Sequence, residues 1–232
     1  MEHTNDSSPD YAGTDHANAE AASAGRAPRD PGAEENFWDD RYAGMEQLWS
    51  GKPNATLTTE ARELPVGRAL DVGCGEGADA LWLAEHGWDV TALDVSGMAL
   101  DRAAAQADVR KVTVNWLHAG LVEAALPQAS FDLVSAQYAA LLRTDENVAE
   151  HALLAAVAPN GVLIFVHHPA PTAEEAANHG FHADDYVGPA QVAALLDDSW
   201  QIEVDETRPR HVATGAGSRH THDIVLRARR LR

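Results

Sequence analysis

From about residue 66 onward, hydrophobic positions fall into two alternating kinds of segment. Short apolar runs, such as 68–72 and 162–166, have the length and composition of buried strands. Between them lie segments with apolar residues at helical spacing, such as 78–86 and 145–157. Strands that alternate with helices in this way predict a parallel sheet with helices on both faces.

The complete pattern gives seven strands. The other predicted strands span 89–93, 112–117, 131–136, 200–207 and 223–228, and the other helices span 99–107 and most of 172–198. No helix is predicted between the last two strands, so these should pair as a hairpin. We therefore predict an α/β fold: a doubly wound, mostly parallel, seven-stranded Rossmann-like sheet with an antiparallel C-terminal hairpin.

The first part of the chain has a different pattern. Residues 1–34 contain almost no large apolar side chains, so they cannot bury enough surface to offset chain entropy and are predicted to be disordered. Residues 35–64 are predicted to be helical with a break at SGKPN, and the first helix would carry aromatic residues from Phe37 to Trp49. The predicted α/β domain then covers residues 65–232.

A glycine-rich turn, in the sequence LDVGCGEG, follows the first predicted strand. Gly73 and Gly75 would let the chain turn tightly and let a ligand approach the main chain. Asp94 ends the next strand about 20 residues further on, where a carboxylate can accept hydrogen bonds from both hydroxyls of a ribose. This spacing predicts a nucleoside-containing ligand.

Asp71 indicates which kind of nucleoside ligand the turn would bind. The turn also satisfies the dinucleotide pattern G-x-G-x-x-[GA], with Ala78 in the last position. However, a carboxylate at Asp71 would repel a pyrophosphate. It suits a cationic ligand that bears an amino group and a sulfonium.

Four segments in the correct order resemble the motifs of class I S-adenosylmethionine-dependent methyltransferases. They are LDVGCGEG, TALDVS, FDLVSAQYAAL and LLAAVAPNGVLIFV, which together span roughly residues 66–168. The resemblance implies S-adenosylmethionine as the cofactor. It places Asp71, Gly73 and Gly75 at the methionine part, Asp94 and Val95 at the ribose and adenine, and Gln137 near the sulfonium.

One position departs from the family pattern. After the third strand these enzymes commonly place an Asp that contacts the adenine amino group, whereas the sequence WLHAGL has Gly120 there. The backbone around Gly120 and Leu121 is expected to contact the adenine instead.

The segments FWDDRYA and LWSGKPN resemble the N-terminal part of the thiopurine and tellurite-resistance methyltransferases, which act on small molecules. The resemblance implies that residues 35–64 form a lid over the cofactor. It places Trp38, Arg41, Tyr42 and Trp49 near the substrate pocket. A sulfonium cation would be favourably placed over such rings. The alternative is that these aromatic side chains only pack the helix against the sheet.

His167 and His168 directly follow the fifth strand. The carboxyl ends of strands line the ligand crevice in open α/β sheets, so either histidine could be a general base toward a hydroxyl or thiol. These two are the candidate catalytic residues. The sequence contains 12 histidines but no spacing typical of metal ligands, so no metal is predicted.

Charge and hydropathy exclude several partners. The formal net charge of −19 would repel a phosphate backbone, so no nucleic-acid substrate is predicted. No apolar run reaches the ~20 residues of a membrane helix, and no signal peptide is visible. With Cys74 as the single cysteine, we expect a cytoplasmic protein without disulfides.

The predicted function is methyl transfer from S-adenosylmethionine to a sulfur, oxygen or nitrogen atom of a small molecule. Two alternatives stay open at this point. One is a non-catalytic S-adenosylmethionine-binding or regulatory protein, which the altered position 120 permits. The other, less favoured because of Asp71, is a dinucleotide-dependent oxidoreductase.

Overall fold

The computed structural model describes residues 31–169, 185–210 and 220–232. Its strands are β1 (Arg68–Val72), β2 (Asp89–Asp94), β3 (Asn115–His118), β4 (Phe131–Gln137), β5 (Val157–His167), β6 (Trp200–Pro209) and β7 (His222–Arg230). Its helices are α1 (Pro31–Ala43), α2 (Ala55–Ala61), α3 (Ala78–Glu85), α4 (Gly97–Arg110), α5 (Val148–Ala156) and α6 (Pro189–Ala193).

The seven strands form one sheet in the order β3-β2-β1-β4-β5-β7-β6. Neighbouring strands from β3 to β5 are parallel. β7 is antiparallel to both β5 and β6. The predicted fold class and its antiparallel C-terminal hairpin are confirmed. Since the chain runs outward in opposite directions from β1 and β4, the carboxyl ends of these two strands form the crevice where ligands bind in such sheets.

The central strands are buried on both faces, which explains why they read as continuous apolar runs. Successive side chains of a strand point to opposite faces. In β5, Leu163 and Phe165 therefore join one apolar cluster, while Ile164 and Val166 join the other. Helices cover both apolar clusters, and this packing fixes the sheet beneath the crevice.

Several predicted boundaries differ from the structure. The helix predicted through Trp49 ends at Ala43. Beyond it, the backbone N–H groups of Leu48, Trp49 and Asn54 donate to side chains of the α/β domain rather than to helical carbonyl groups. α1 begins at Pro31, so the predicted boundary at residue 34 falls inside this helix; residues 1–30 lie outside the described part of the chain.

Two further differences lie in the second half of the chain. β5 begins at Val157 rather than at residue 162. The predicted PNG turn lies within this strand, where the pairing of β4 with β5 shifts register between Phe131 and Leu133 of β4. Of the predicted helix 172–198, residues 172–184 lie outside the described residues, and the remainder forms only the short helix α6.

Candidate cofactor and acceptor site

The loop between β1 and α3 is a glycine cradle. Gly73, Gly75 and Gly77 have φ values of 66°, 52° and 79°, which side chains rarely tolerate. A Cβ on Gly75 would lie 2.9 Å from the hydroxyl oxygen of Tyr42 and 3.2 Å from Nε1 of Trp49. Only glycine lets the N-terminal segment and the loop approach so closely.

Two buried polar atoms lie at the ends of the adjacent strands β1 and β4. Oδ2 of Asp71 and Oε1 of Gln137 have no hydrogen-bond partner among the described residues. Leaving a buried polar atom unsatisfied costs about 1–3 kcal/mol, so both atoms point to a ligand. Burial, followed by repulsion from Asp79 and Asp94, raises the pKa of Asp71 well above its ordinary value. A cationic ligand group would relieve both effects.

Asp94 is already hydrogen-bonded to the glycine loop. Its Oδ2 accepts from the N–H of Gly75 at 2.8 Å, and its Oδ1 accepts from the N–H of Ser96 at 2.9 Å. Burial raises the pKa of Asp94, and these two bonds oppose that rise. Each carboxylate oxygen keeps a second lone pair, so the side chain can still accept from two hydroxyls.

The residues predicted near the adenine come together beside Asp94. Cγ1 of Val95 lies 3.6 Å from the position of a Cβ on Gly120. Leu121 is buried and packs with Leu93 in the core.

The predicted lid residues Tyr42 and Trp49 cover the glycine loop. Nε1–H of Trp49 donates to the hydroxyl oxygen of Tyr42 at 2.9 Å, and Tyr42 is buried in a small cluster with Leu48 and Ala99. Trp38 packs against the same cluster. The structure therefore brings three of the four predicted lid residues to one place.

Arg41, the fourth predicted lid residue, lies on α1 with its guanidinium 5.7 Å from the ring centre of Phe37 and 5.4 Å from that of Trp38. Burial lowers its pKa, and the nearby Tyr42 and Tyr186 oppose that change. Arg41 therefore lies on the side of α1 that approaches Tyr186.

Glu76, in the glycine loop itself, holds the segment after α1. Its carboxylate accepts from the backbone N–H groups of Leu48 at 3.1 Å and Trp49 at 3.0 Å, and it pairs with Arg102 of α4 at 2.9 Å. Arg102 in turn donates to the carbonyl oxygen of Tyr42 at 2.8 Å. The cradle and the segment covering it are thus one hydrogen-bonded unit.

Two further acids attach the N-terminal segment to the domain. Asp79 accepts from the backbone N–H of Asn54 at 2.7 Å and from its side chain at 2.8 Å. Asp39 of α1 accepts from the hydroxyl of Ser96 at 2.5 Å and from the N–H of Met98 at 3.2 Å, at the start of α4. Sequence reasoning missed these acids and Glu76, because nothing local distinguishes them from solvated surface charges.

A second cluster surrounds His168 at the end of β5. Its ring stacks on Tyr138 with centroids 4.3 Å apart and on His220 with centroids 3.6 Å apart. Its Nδ1 lies 3.7 Å from Oδ1 of Asp223, and the guanidinium of Arg210 lies 4.5 Å above the ring of Tyr138. No local sequence signal identifies these four partners of His168, which come from three separate parts of the chain.

This cluster adjoins the predicted sulfonium position, because Tyr138 directly follows Gln137. Tyr138 has a φ of 60°, an uncommon conformation for a side-chain-bearing residue. Burial lowers the pKa of His168, which keeps its ring neutral and able to accept a proton at pH 7. Nδ1 of His167 instead lies 3.3 Å from the carbonyl oxygen of His168. Of the two predicted bases, the geometry favours His168.

Within residues 31–169, 185–210 and 220–232, no group of three or more His, Cys, Asp or Glu side chains could hold a metal ion. In the same part of the chain, no helix is long and apolar enough to cross a membrane.

Comparison with known proteins agrees with this geometry. Residues 69–161 match the family described as a methyltransferase domain. An uncharacterized methyltransferase of Mycobacterium tuberculosis H37Rv is 36% identical over 124 residues, which cover 53% of this chain and 61% of that protein. The match therefore spans less than two thirds of the relative's length.

Two solved structures share the fold. One, from work on the conversion of a disulfide bond into a thioacetal group during echinomycin biosynthesis, has a TM-score of 0.66 at 23% identity and covers 84% of this chain and 92% of its own. The other, a 1,6-didemethyltoxoflavin-N1-methyltransferase of Burkholderia thailandensis with S-adenosylhomocysteine bound, has a TM-score of 0.55 at 19% identity, with 77% and 76% covered.

The sheet, the glycine cradle and the domain match agree with the class I S-adenosylmethionine-dependent methyltransferase domain that the sequence predicts. The match covers residues 69–161, which are less than half of the chain. The class predicted from LDVGCGEG and the motifs after it is confirmed. The residues present fit the cofactor, because the cradle and the unsatisfied oxygens of Asp71 and Gln137 suit a bound cation.

Proposed function

We propose that this protein transfers the methyl group of S-adenosylmethionine to a sulfur, oxygen or nitrogen atom of a small molecule. The observation that carries the proposal is the pair of buried, unsatisfied oxygens on Asp71 and Gln137 beside the His168 cluster. Asp71 would face the cationic methionine part of the cofactor, and Gln137 would face the sulfonium. Asp94 and Val95 would hold the ribose and adenine.

The bound cofactor supplies a methyl group on an already activated leaving group. The chain has to hold the acceptor in line with that methyl and to exclude water. Tyr42 and Trp49 cover the glycine cradle, and Trp38 lies next to them. These rings would exclude water above the site and suit a cation.

The His168 cluster would bind and deprotonate the acceptor. Oδ1 of Asp223 lies 3.7 Å from Nδ1 of His168, so its charge would stabilise the ring once it has taken a proton. His168 would remove the proton of a hydroxyl, thiol or amine. Although burial alone would raise it, the pKa of Asp223 is lowered by its contacts with His168, Tyr138 and Arg210, so the carboxylate stays charged.

The charge of the molecule supports a small acceptor over a nucleic acid. The net charge of −19 opposes a polyphosphate chain. A neighbour in fold named for N1 methylation of 1,6-didemethyltoxoflavin is also a small-molecule enzyme.

The first test separates the cofactor classes. S-adenosylhomocysteine should bind in calorimetry and raise the unfolding free energy by about 2.7 kcal/mol at a hundredfold excess over its dissociation constant. NADH should do neither. Preferential binding of NADH would favour the oxidoreductase alternative.

The second test concerns turnover. Labelled methyl from S-adenosylmethionine should reach at least one member of a panel of thiols, phenols and heterocyclic amines. His168→Gln should lower that rate about 10²- to 10⁴-fold while leaving S-adenosylhomocysteine affinity unchanged. The control is His151→Gln, a change on the exposed side of α5. Binding without transfer to any acceptor would support the non-catalytic alternative.

A further inference from the structure

Glu76 lies within the glycine loop, between Gly75 and Gly77, but its side chain faces the N-terminal segment. Its Oε1 accepts from the backbone N–H of Leu48 at 3.1 Å, and its Oε2 accepts from that of Trp49 at 3.0 Å. The side chain is only 10% exposed, so water cannot readily replace these donors. Residues 48 and 49 are therefore held against the loop that would contact the cofactor.

Arg102 of α4 holds the same segment at its other end. Its Nη1 donates to Oε1 of Glu76 at 2.9 Å. Its Nη2 donates to the carbonyl oxygens of Tyr42 at 2.8 Å and Met45 at 2.7 Å. These carbonyl groups belong to the end of α1 and the turn after it, where a cation is favourable. Glu76 and Arg102 thus form a clamp that holds residues 42–49 at both ends.

The clamped segment closes directly on the glycine loop. The hydroxyl oxygen of Tyr42 and Nε1 of Trp49 lie 2.9 Å and 3.2 Å from the position of a Cβ on Gly75, so not even one more carbon atom fits there. The two side chains are hydrogen-bonded to each other at 2.9 Å and form one cover. The cradle is closed on this side as long as the clamp holds.

We propose that the Glu76–Arg102 clamp gates the exchange of the cofactor, so that S-adenosylmethionine enters and S-adenosylhomocysteine leaves only while the clamp is open. This inference rests on the proposed function, because it takes S-adenosylmethionine as the ligand. Glu76 and Arg102 are positioning residues, since they act on the ligand through Tyr42 and Trp49. They set the rate of ligand exchange more than the affinity of binding.

A gate has a kinetic signature that a simple contact lacks. Loss of a contact made only in the complex raises the dissociation rate constant and leaves the association rate constant unchanged. A weakened gate opens more often in the free protein and in the complex. Both rate constants therefore rise, and the dissociation constant changes little.

The test is surface plasmon resonance with S-adenosylhomocysteine on Arg102→Met, which removes the cation and leaves the glycine loop unaltered. Both rate constants should rise about tenfold, the factor expected for loss of a hydrogen bond between charged groups. Arg102→Lys should give intermediate rates, because an ammonium can pair with Glu76 but lacks the fork that reaches both carbonyl oxygens. In the ligand-free protein, the N–H groups of Leu48 and Trp49 should also lose exchange protection in Arg102→Met.

Arg110→Met is the matched control on the same helix. Nη1 of Arg110 pairs with Glu85 at 3.4 Å, and its side chain is 30% exposed against 26% for Arg102. This variant should keep the wild-type rates.

An unchanged association rate constant in Arg102→Met, with the fold intact by circular dichroism, would overturn the inference alone. If Arg102→Met does not fold, Arg102→Lys decides in the same way. Failure of wild-type protein to bind S-adenosylhomocysteine would overturn the proposed function as well, so the two failures are distinguishable.

Discussion

The acids at the ends of β1 and β2 differ in how far their hydrogen bonds are already satisfied. Asp94 accepts two backbone N–H groups and so fixes the glycine loop before any ligand arrives. Asp71 leaves one buried oxygen without a partner. We therefore expect Asp94 to be preorganised for ribose, and Asp71 to gain its counter-charge only from the cofactor.

Replacing Asp94 with alanine should weaken S-adenosylhomocysteine binding about ten- to a hundredfold. The reason is the loss of charge-assisted hydrogen bonds to the ribose, which contribute ~1.5–3 kcal/mol. The measurement is calorimetry, with Asp89→Ala at the exposed, opposite end of the same strand as the control. Unchanged affinity in Asp94→Ala would remove Asp94 from the cofactor site.

Glu34 should make the docking of α1 depend on pH. Its pKa rises to about 7 in the folded chain from an ordinary value of 4.5, so the folded state binds the proton more tightly. The stabilisation is complete below about pH 4.5 and is lost as the pH rises through about 7. Asp94 and Glu123 are the acids that face it.

The measurement is amide exchange across α1 at pH 5.5 and pH 8, corrected for the intrinsic exchange rate. Protection should fall at the higher pH in wild-type protein and stay constant in Glu34→Gln. Glu46→Gln changes an exposed acid just after α1 and should leave the wild-type behaviour intact. An identical pH response in wild type and Glu34→Gln would show that another group controls the docking.

At the scale of elements, α1 and the segment after it are attached mainly by polar contacts. Asp39 reaches the start of α4, while Glu76 and Arg102 hold residues 42–49. The apolar contribution is the small cluster around Tyr42. An element attached by hydrogen bonds and little apolar area belongs to the low-stability end of a structure, as a lid requires.

Trp38→Ala should therefore weaken S-adenosylhomocysteine binding while changing the stability of the ligand-free protein little. Ligand should also increase exchange protection across residues 36–50, since ordering and binding favour each other by the same free energy. Trp88→Ala is the contrasting core variant, because Trp88 is 5% exposed, and it should lose ~3–5 kcal/mol. A loss of that size for apo Trp38→Ala, with equal protection in both states, would make α1 permanent scaffold.

The elements that sequence patterns located best are those whose burial is decided locally. β1 was predicted at its observed bounds, and α3 nearly so, because a glycine turn separates two clear periodicities. Residues 44–49 were wrongly predicted to continue the first helix. The backbone N–H groups of Leu48 and Trp49 donate to Glu76, an acid 28 and 27 residues later in the chain.

At the scale of the whole molecule, the strand order decides where the chemistry lies. β1 pairs with both β2 and β4, so the glycine cradle, Asp94 and Gln137 meet at the carboxyl ends of these strands. Because β7 is antiparallel to β5, His168 after β5 and Asp223 near the start of β7 lie at the same end of the sheet. The His168 cluster is thus adjacent to the cofactor crevice because of the strand order.

The amino-acid sequence by itself determined the fold class, the glycine cradle, the acid at the end of β2 and the class of cofactor. These depend on local properties: burial periodicity, the φ freedom of glycine, and the spacing of an acid from a turn. Only the tertiary structure decided that Glu76 and Arg102 clamp the N-terminal segment, and that Tyr138, Asp223 and Arg210 surround His168. Charged and polar side chains take their partners from whatever the chain path brings near, and that path is set by the packing of the entire sheet.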